Sequence, residues 1–127
     1  MIFDQDALLR RLMGDRNLAG AILRSFVGGY PGRLNELRQR IVEADASAAC
    51  RLAHTLKGAA ATVAAEELCA FAAAVEQAGA TGQIARCAEL MPRGMQVFEQ
   101  FRGALASAGW LADPGGDASL RTNDDQS

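Results

Sequence analysis

The chain has 127 residues, half of them hydrophobic and 22% charged, with a formal net charge of −2. That is enough apolar chain for one domain with a single core, and it excludes a disordered polymer. A near-neutral balance with no basic stripe argues against nucleic acid as a partner, and the apolar run that includes Cys69–Val75 is too short to cross a bilayer.

Alanine and leucine are abundant while β-branched and aromatic residues are few, which favours helices over strands. Residues 4–13 predict a short amphipathic helix through Leu8, Leu9 and Leu12. Asp15 has the chemistry of an N-cap, and Leu18, Ile22, Ser25 and Phe26 mark one face of the helix that follows. Gly28-Gly29-Tyr30-Pro31 predicts a break or kink, with Pro31 suited to a first helical turn. Beyond it, Leu34, Leu37, Ile41 and Ala44 keep a helical spacing. Asp45 predicts the cap of a helix running to about Val63, with Ala49, Leu52, Ala53, Leu56, Ala60 and Val63 on its apolar side. Glu66-Glu67 opens the next helix, which buries Leu68, Phe71, Ala72 and Val75 and ends near Gly79. The last helix is long, carried by Ile84, Cys87, Met91, Gly94, Phe98, Phe101 and Leu105, and Trp110-Leu111 is placed to pack back on the bundle. Short connections between amphipathic helices point to an antiparallel up-down bundle. Residues 1–111 are therefore the expected helical domain, and residues 112–127 a polar, flexible tail.

Cys50, Cys69 and Cys87 form no CxxC pair, which fits reduced thiols in the cytoplasm. The N-terminus has neither the basic nor the apolar segment of a signal peptide. The Met1 start and polar tail suggest a free-standing domain.

One feature of composition is sharper. The only histidine, His54, and the only lysine, Lys57, stand three residues apart, and Gly58 follows; the other twelve basic residues are arginines. On a helical wheel His54 lies opposite the core side of its helix. It shares its outward face with Ser47, Cys50, Arg51, Lys57, Gly58 and Ala61. A neutral imidazole offers a nucleophilic nitrogen near pH 7. An ammonium beside it neutralises phosphoryl oxygens, and a glycine leaves room for the incoming group. Cys50 and His54, at i and i+4, face the same way, but no second pair of ligands accompanies them, so no metal site is expected. Nor is there a glycine-rich nucleotide loop, so the chain is expected to carry a phosphoryl group without an ATP-dependent kinase activity of its own.

The segment Ala53-His54-Thr55-Leu56-Lys57-Gly58-Ala59-Ala60-Ala61 closely resembles the histidine phosphotransfer (HPt) domains of multistep phosphorelays. The resemblance spans residues 3–107 or so, taking in Gly14-Asp15, Phe26, Pro31, Leu34, Leu37, Asp45, Glu67-Leu68 and Val75-Glu76. It implies an all-α, antiparallel four-helix bundle with an N-terminal helical extension. It also implies that His54 accepts a phosphoryl group through Nε2 from the aspartyl phosphate of a response-regulator receiver domain and passes it to another. Lys57 would then be the phosphate-side cation, Gly58 the opening, and Glu76 the residue that bonds the other ring nitrogen. The geometry allows the last of these: about the turn near residue 64, His54 lies about 15 Å before and Glu76 about 18 Å after at helical rise. Cys50, Arg51 and Ala61 are the expected partner-binding residues. The partners implied are receiver domains and a sensor or hybrid histidine kinase. No cofactor is implied in this chain, magnesium belonging to the receiver, and a cytoplasmic monomer is expected. The alternatives are a non-phosphorylated adaptor of the same fold and a phosphoacceptor served directly by a histidine kinase. Two positions depart from the family pattern. Thr62 stands where asparagine or serine is frequent. Ala64 replaces a glycine, which predicts a turn of ordinary backbone angles or a shifted start to the next helix.

Overall fold

Three aspartates start three of the helices. The carboxylates of Asp4, Asp15 and Asp45 each accept the backbone N–H three residues on, from Ala7, Leu18 and Ala48, all at 3.0 Å. Each satisfies an N–H that has no partner within its helix. The computed structural model describes residues 2–111; the predicted tail at 112–127 lies outside them. Five helices follow in order: α1 (Gln5–Arg11), α2 (Arg16–Val42), α3 (Ala46–Thr62), α4 (Glu66–Ala80) and α5 (Ile84–Ser107). No strand occurs among the described residues.

Helices α2 to α5 pack in sequence, and α2 closes the ring against α5, giving a four-helix bundle to which α1 is appended. Cross-helix pairs set the directions. Phe26 meets Phe101 and Tyr30 meets Phe98, so α2 and α5 are antiparallel. His54 meets Glu76, and Glu67 meets Arg93, so α3, α4 and α5 alternate as well. The core is filled by Leu23, Tyr30, Leu37, Leu56, Leu68, Val75, Phe98, Phe101 and Leu105, all buried. A Cβ at Gly94 would overlap the Phe71 ring, so this glycine is what lets α5 approach α4.

Several expectations need correction. Gly28-Gly29-Tyr30-Pro31 does not break the chain: α2 is one continuous helix with Pro31 inside it. Proline removes one internal hydrogen bond. Against that loss, Tyr30 is 2% exposed and packed between Phe26 and Phe98, an anchor that needs helix on both sides. Leu18 and Ser25 are exposed, and the buried stripe at the start of α2 is Ala19 and Leu23, with Ile22 and Phe26 half-buried. Leu52 is half-buried rather than core, because it faces the α2–α3 seam. Ala44 is exposed in the turn after α2.

Ala64 is the largest correction. Its φ is +58, the left-handed region, so the turn does not use ordinary angles. The reason is general to this bundle. Every helix ends with a bond from an N–H five residues past a carbonyl, the Schellman closure: Gly14 to Leu9, Asp45 to Arg40, Ala65 to Ala60, Gln83 to Ala78 and Trp110 to Leu105. Each closure needs a left-handed residue. Gly82 and Gly109 supply it without strain, whereas Met13, Ala44 and Ala64 supply it with a side chain in place.

The extension is tied to the same turn. The Asp4 N–H donates to the Ala64 carbonyl at 3.0 Å. Arg11 donates to the Ala61 and Thr62 carbonyls at 2.7 and 3.1 Å. It supplies a cation at the C-terminus of α3, whose last turn has none of its own. Trp110 does pack back, 6% exposed, with its Nε1–H donating to Gln5 at 3.0 Å and Arg16 over its ring.

Candidate functional site

Helix α3 rests on Ala49, Ala53, Leu56 and Ala60, all buried, so its opposite side faces out. His54 stands on that side with its side chain 69% exposed. Helix α4 runs back alongside and brings Glu76 level with it. The carboxylate bridges two side chains: Oε2 is 2.8 Å from His54 Nδ1, and Oε1 is 2.7 Å from Lys57 Nζ.

The bridge fixes the protonation of the ring. An ionised carboxylate only accepts hydrogen bonds, so the short contact requires the hydrogen to be on Nδ1. In the neutral imidazole, Nε2 then keeps its lone pair. The carboxylate stays ionised because the Lys57 ammonium, and after it His54, hold it below the usual carboxylate range. Glu76 in turn raises the Lys57 ammonium above its ordinary value. What results is an exposed, oriented nucleophilic nitrogen with a cation one turn away.

Around this trio, Gly58 is exposed, and a Cβ there would meet nothing within 4 Å. Close helix packing is therefore no reason for this glycine. Its carbonyl accepts the Thr62 hydroxyl at 3.0 Å. Ala61 is exposed two turns beyond His54. Arg51 is exposed and donates to Ser47 Oγ at 2.8 Å. Cys50 is half-buried where α3 meets Gly79: a Cβ on that glycine would sit 3.0 Å from the Cys50 nitrogen. Among the described residues, Cys50 and His54 belong to no cluster of three or more metal-ligating side chains.

The structure thus brings together His54, Lys57 and Glu76, leaves Gly58, Arg51 and Ala61 open around them, and holds Cys50 half-buried one turn before His54. Two contributors were not legible in the sequence reading. Gly79 brings α4 against the backbone of α3 near the site, and its only signal was a glycine amid alanines at a helix end. Arg11 ties the extension to the end of α3 from 50 residues away, for which no local pattern exists.

The sequence model of the Hpt domain family matches residues 21–109, from the first turns of α2 to just past the end of α5. No curated protein and no solved structure gives a match.

Proposed function

The chain belongs to the Hpt domain family, and from that premise we propose that His54 is its phosphoacceptor, exchanging a phosphoryl group with the aspartyl phosphate of a response-regulator receiver domain. The family's role in histidine phosphotransfer within phosphorelays covers the region that contains the whole candidate site. The observation that carries the assignment of residues is the double contact of Glu76, which holds Nδ1–H and Lys57 at once.

The step is an in-line displacement. The Nε2 lone pair attacks phosphorus, the N–P bond forms as the P–O bond to the receiver's aspartate breaks, and the aspartate leaves as its carboxylate. The Nδ1 proton stays in its bond to Glu76, which stabilises the positive charge the ring gains. Lys57, one turn along the same helix, turns its ammonium to the phosphoryl oxygens. Gly58 admits the partner's surface. Magnesium serves the receiver's carboxylates and is not required from this chain. Transfer onward is the same step reversed. No helix among the described residues is long and apolar enough to cross a membrane. The domain is read as a cytoplasmic monomer that serves receiver domains and, through them, a sensor or hybrid histidine kinase.

Incubation with a receiver domain charged by acetyl phosphate tests this. Acid-labile, base-stable label on the parent chain and none on His54→Gln is the expected result. Binding of receivers without any label would instead favour an adaptor, and label only from a kinase with ATP would favour a direct kinase substrate.

A further inference from the structure

Helix α4 carries alanine at 70, 72, 73, 74, 78 and 80, yet glycine at 79. A left-handed turn does not explain it. The left-handed residue that follows α4 is Gly82, with φ +72, while Gly79 lies inside the helix. What distinguishes Gly79 is how close α3 comes. A Cβ there would lie 3.0 Å from the Ala46 carbonyl oxygen, 3.0 Å from the Cys50 nitrogen and 3.1 Å from the Cys50 Cα. All three are backbone atoms, which cannot turn aside as a side chain can.

This contact is one rung from the site. Gly79 is about 4.5 Å past Glu76 along α4, and Cys50 about 6 Å before His54 along α3, at helical rise. The two helices are antiparallel, so Gly79–Cys50 and Glu76–His54 are successive rungs of one seam. Backbone rests on backbone at the first rung, and that sets the helix separation at the second. The second rung has little slack. Glu76 uses both carboxylate oxygens, at 2.8 Å to His54 Nδ1 and 2.7 Å to Lys57 Nζ. Moving the carboxylate to mend one bond takes it from the other. Non-bonded atoms pack best near 3.5 Å and beyond, so an alanine at 79 drives the two backbones apart by about 0.5 Å. A shift of that size carries the Glu76–His54 contact to the outer edge of hydrogen-bond range.

We infer that Gly79 is a positioning residue for His54: by letting the α4 backbone rest on that of α3, it holds Glu76 at the distance that keeps the hydrogen on Nδ1 and the lone pair on Nε2. The consequence for transfer rests on the relay reading of His54; the consequence for the ring rests only on its contact with Glu76.

His54 is the only histidine, so nitrogen-15 NMR of the full chain, at a pH where the ring is neutral, reads its tautomer without overlap. Gly79→Ala and Gly79→Val grade the added bulk, and Glu76→Ala sets the full effect. Val97→Ala, a buried truncation on α5, controls for lost stability. Phosphoramidate, a small donor that labels an exposed imidazole without docking, reports the nucleophile. The Nδ1–H share is expected to fall from the parent to Gly79→Ala to Gly79→Val, approaching Glu76→Ala, while Val97→Ala keeps the parent's value. Labelling slows in the same order, by about threefold or more for Gly79→Val, as a small misplacement of a reacting group does. If circular dichroism shows Gly79→Val unfolded, Gly79→Ala decides alone. A folded Gly79→Ala with the parent's tautomer and rate overturns the inference and leaves Glu76 as the orienter. An equal tautomer loss in Val97→Ala overturns it too. An unchanged ring in Glu76→Ala overturns the orienting role of Glu76, and this inference with it. Graded tautomer loss in variants of a parent that no charged receiver labels supports the inference and overturns the relay reading.

Discussion

Ala44 and Ala64 make an internal control for the effect of a buried methyl group at a strained turn. Their φ values are +59 and +58, and each closes a helix in the same way. The left-handed conformation costs an alanine about 1–2 kcal/mol. Glycine removes that cost but gives back about 0.4–1 kcal/mol through the greater freedom of its unfolded chain. At Ala44, which is exposed, nothing else changes, so Ala44→Gly should stabilise the domain by about 0.8 kcal/mol, the difference of those midpoints. At Ala64 the methyl is only 7% exposed, and deleting it forfeits about 0.8 kcal/mol of burial. Ala64→Gly should therefore be close to neutral. The backbone and unfolded-state contributions cancel between the two variants, so their difference reports the methyl alone. Urea unfolding followed by circular dichroism measures it as a shift in midpoint at constant slope. An Ala64→Gly variant as stable as Ala44→Gly, or more so, would refute the reasoning.

Gly58→Ala should raise stability by about 1 kcal/mol, since nothing lies near its Cβ, yet slow transfer from a charged receiver; a variant that is stabilised and equally fast removes the steric role. Gly94→Ala should go the other way, losing about 1–3 kcal/mol as the Phe71 ring is displaced, read as a lower thermal midpoint. The Lys57–Glu76 pair predicts a pH window. Glu76 has a depressed folded value, so its contribution is full above its ordinary 4.5 and is lost as pH falls through the folded value. Lys57 has a raised folded value, so its contribution is full below 10.5 and is lost as pH rises past that. The stability gap between the parent and Glu76→Gln should then close in acid; a gap that persists at pH 2 would count against the pair.

Much of this was legible because helical periodicity is strong in the second half of the chain. From Asp45 to Leu105, apart from Leu52 and the turn at Ala64, caps, boundaries and buried positions follow the pattern, and with them the placement of His54 outside and Glu76 within reach. The first half was harder, for a physical reason. Gly28, Gly29, Pro31 and Gly32 all disfavour helix locally, and what overrides them is the burial of Tyr30 against α5, nearly seventy residues away. Arg11 and Ala64 belong to the same class: one is a contact across 50 residues, the other a left-handed turn imposed by Schellman closure on a residue that does not favour it.

That non-local end of the molecule also bears on the site. The relation between His54 and Glu76 depends on the α3–α4 hairpin, because His54 sits at the middle of one arm and Glu76 about one turn from the far end of the other. Nothing at the hairpin's turn favours its conformation by residue type. It is held from outside, by Asp4 on the Ala64 carbonyl and by Arg11 on the carbonyls of Ala61 and Thr62. Further along the arms the constraint is close packing, where Gly79 lets α4 meet the backbone at Ala46 and Cys50. The trio is thus clamped on both sides, by the extension at one end and by a glycine contact at the other. A side chain at Gly79 would spread the arms and lengthen both Glu76 contacts, while loss of Arg11 would loosen the turn and leave Gly79 in register. The first change disorders the tautomer; the second costs stability before it costs chemistry.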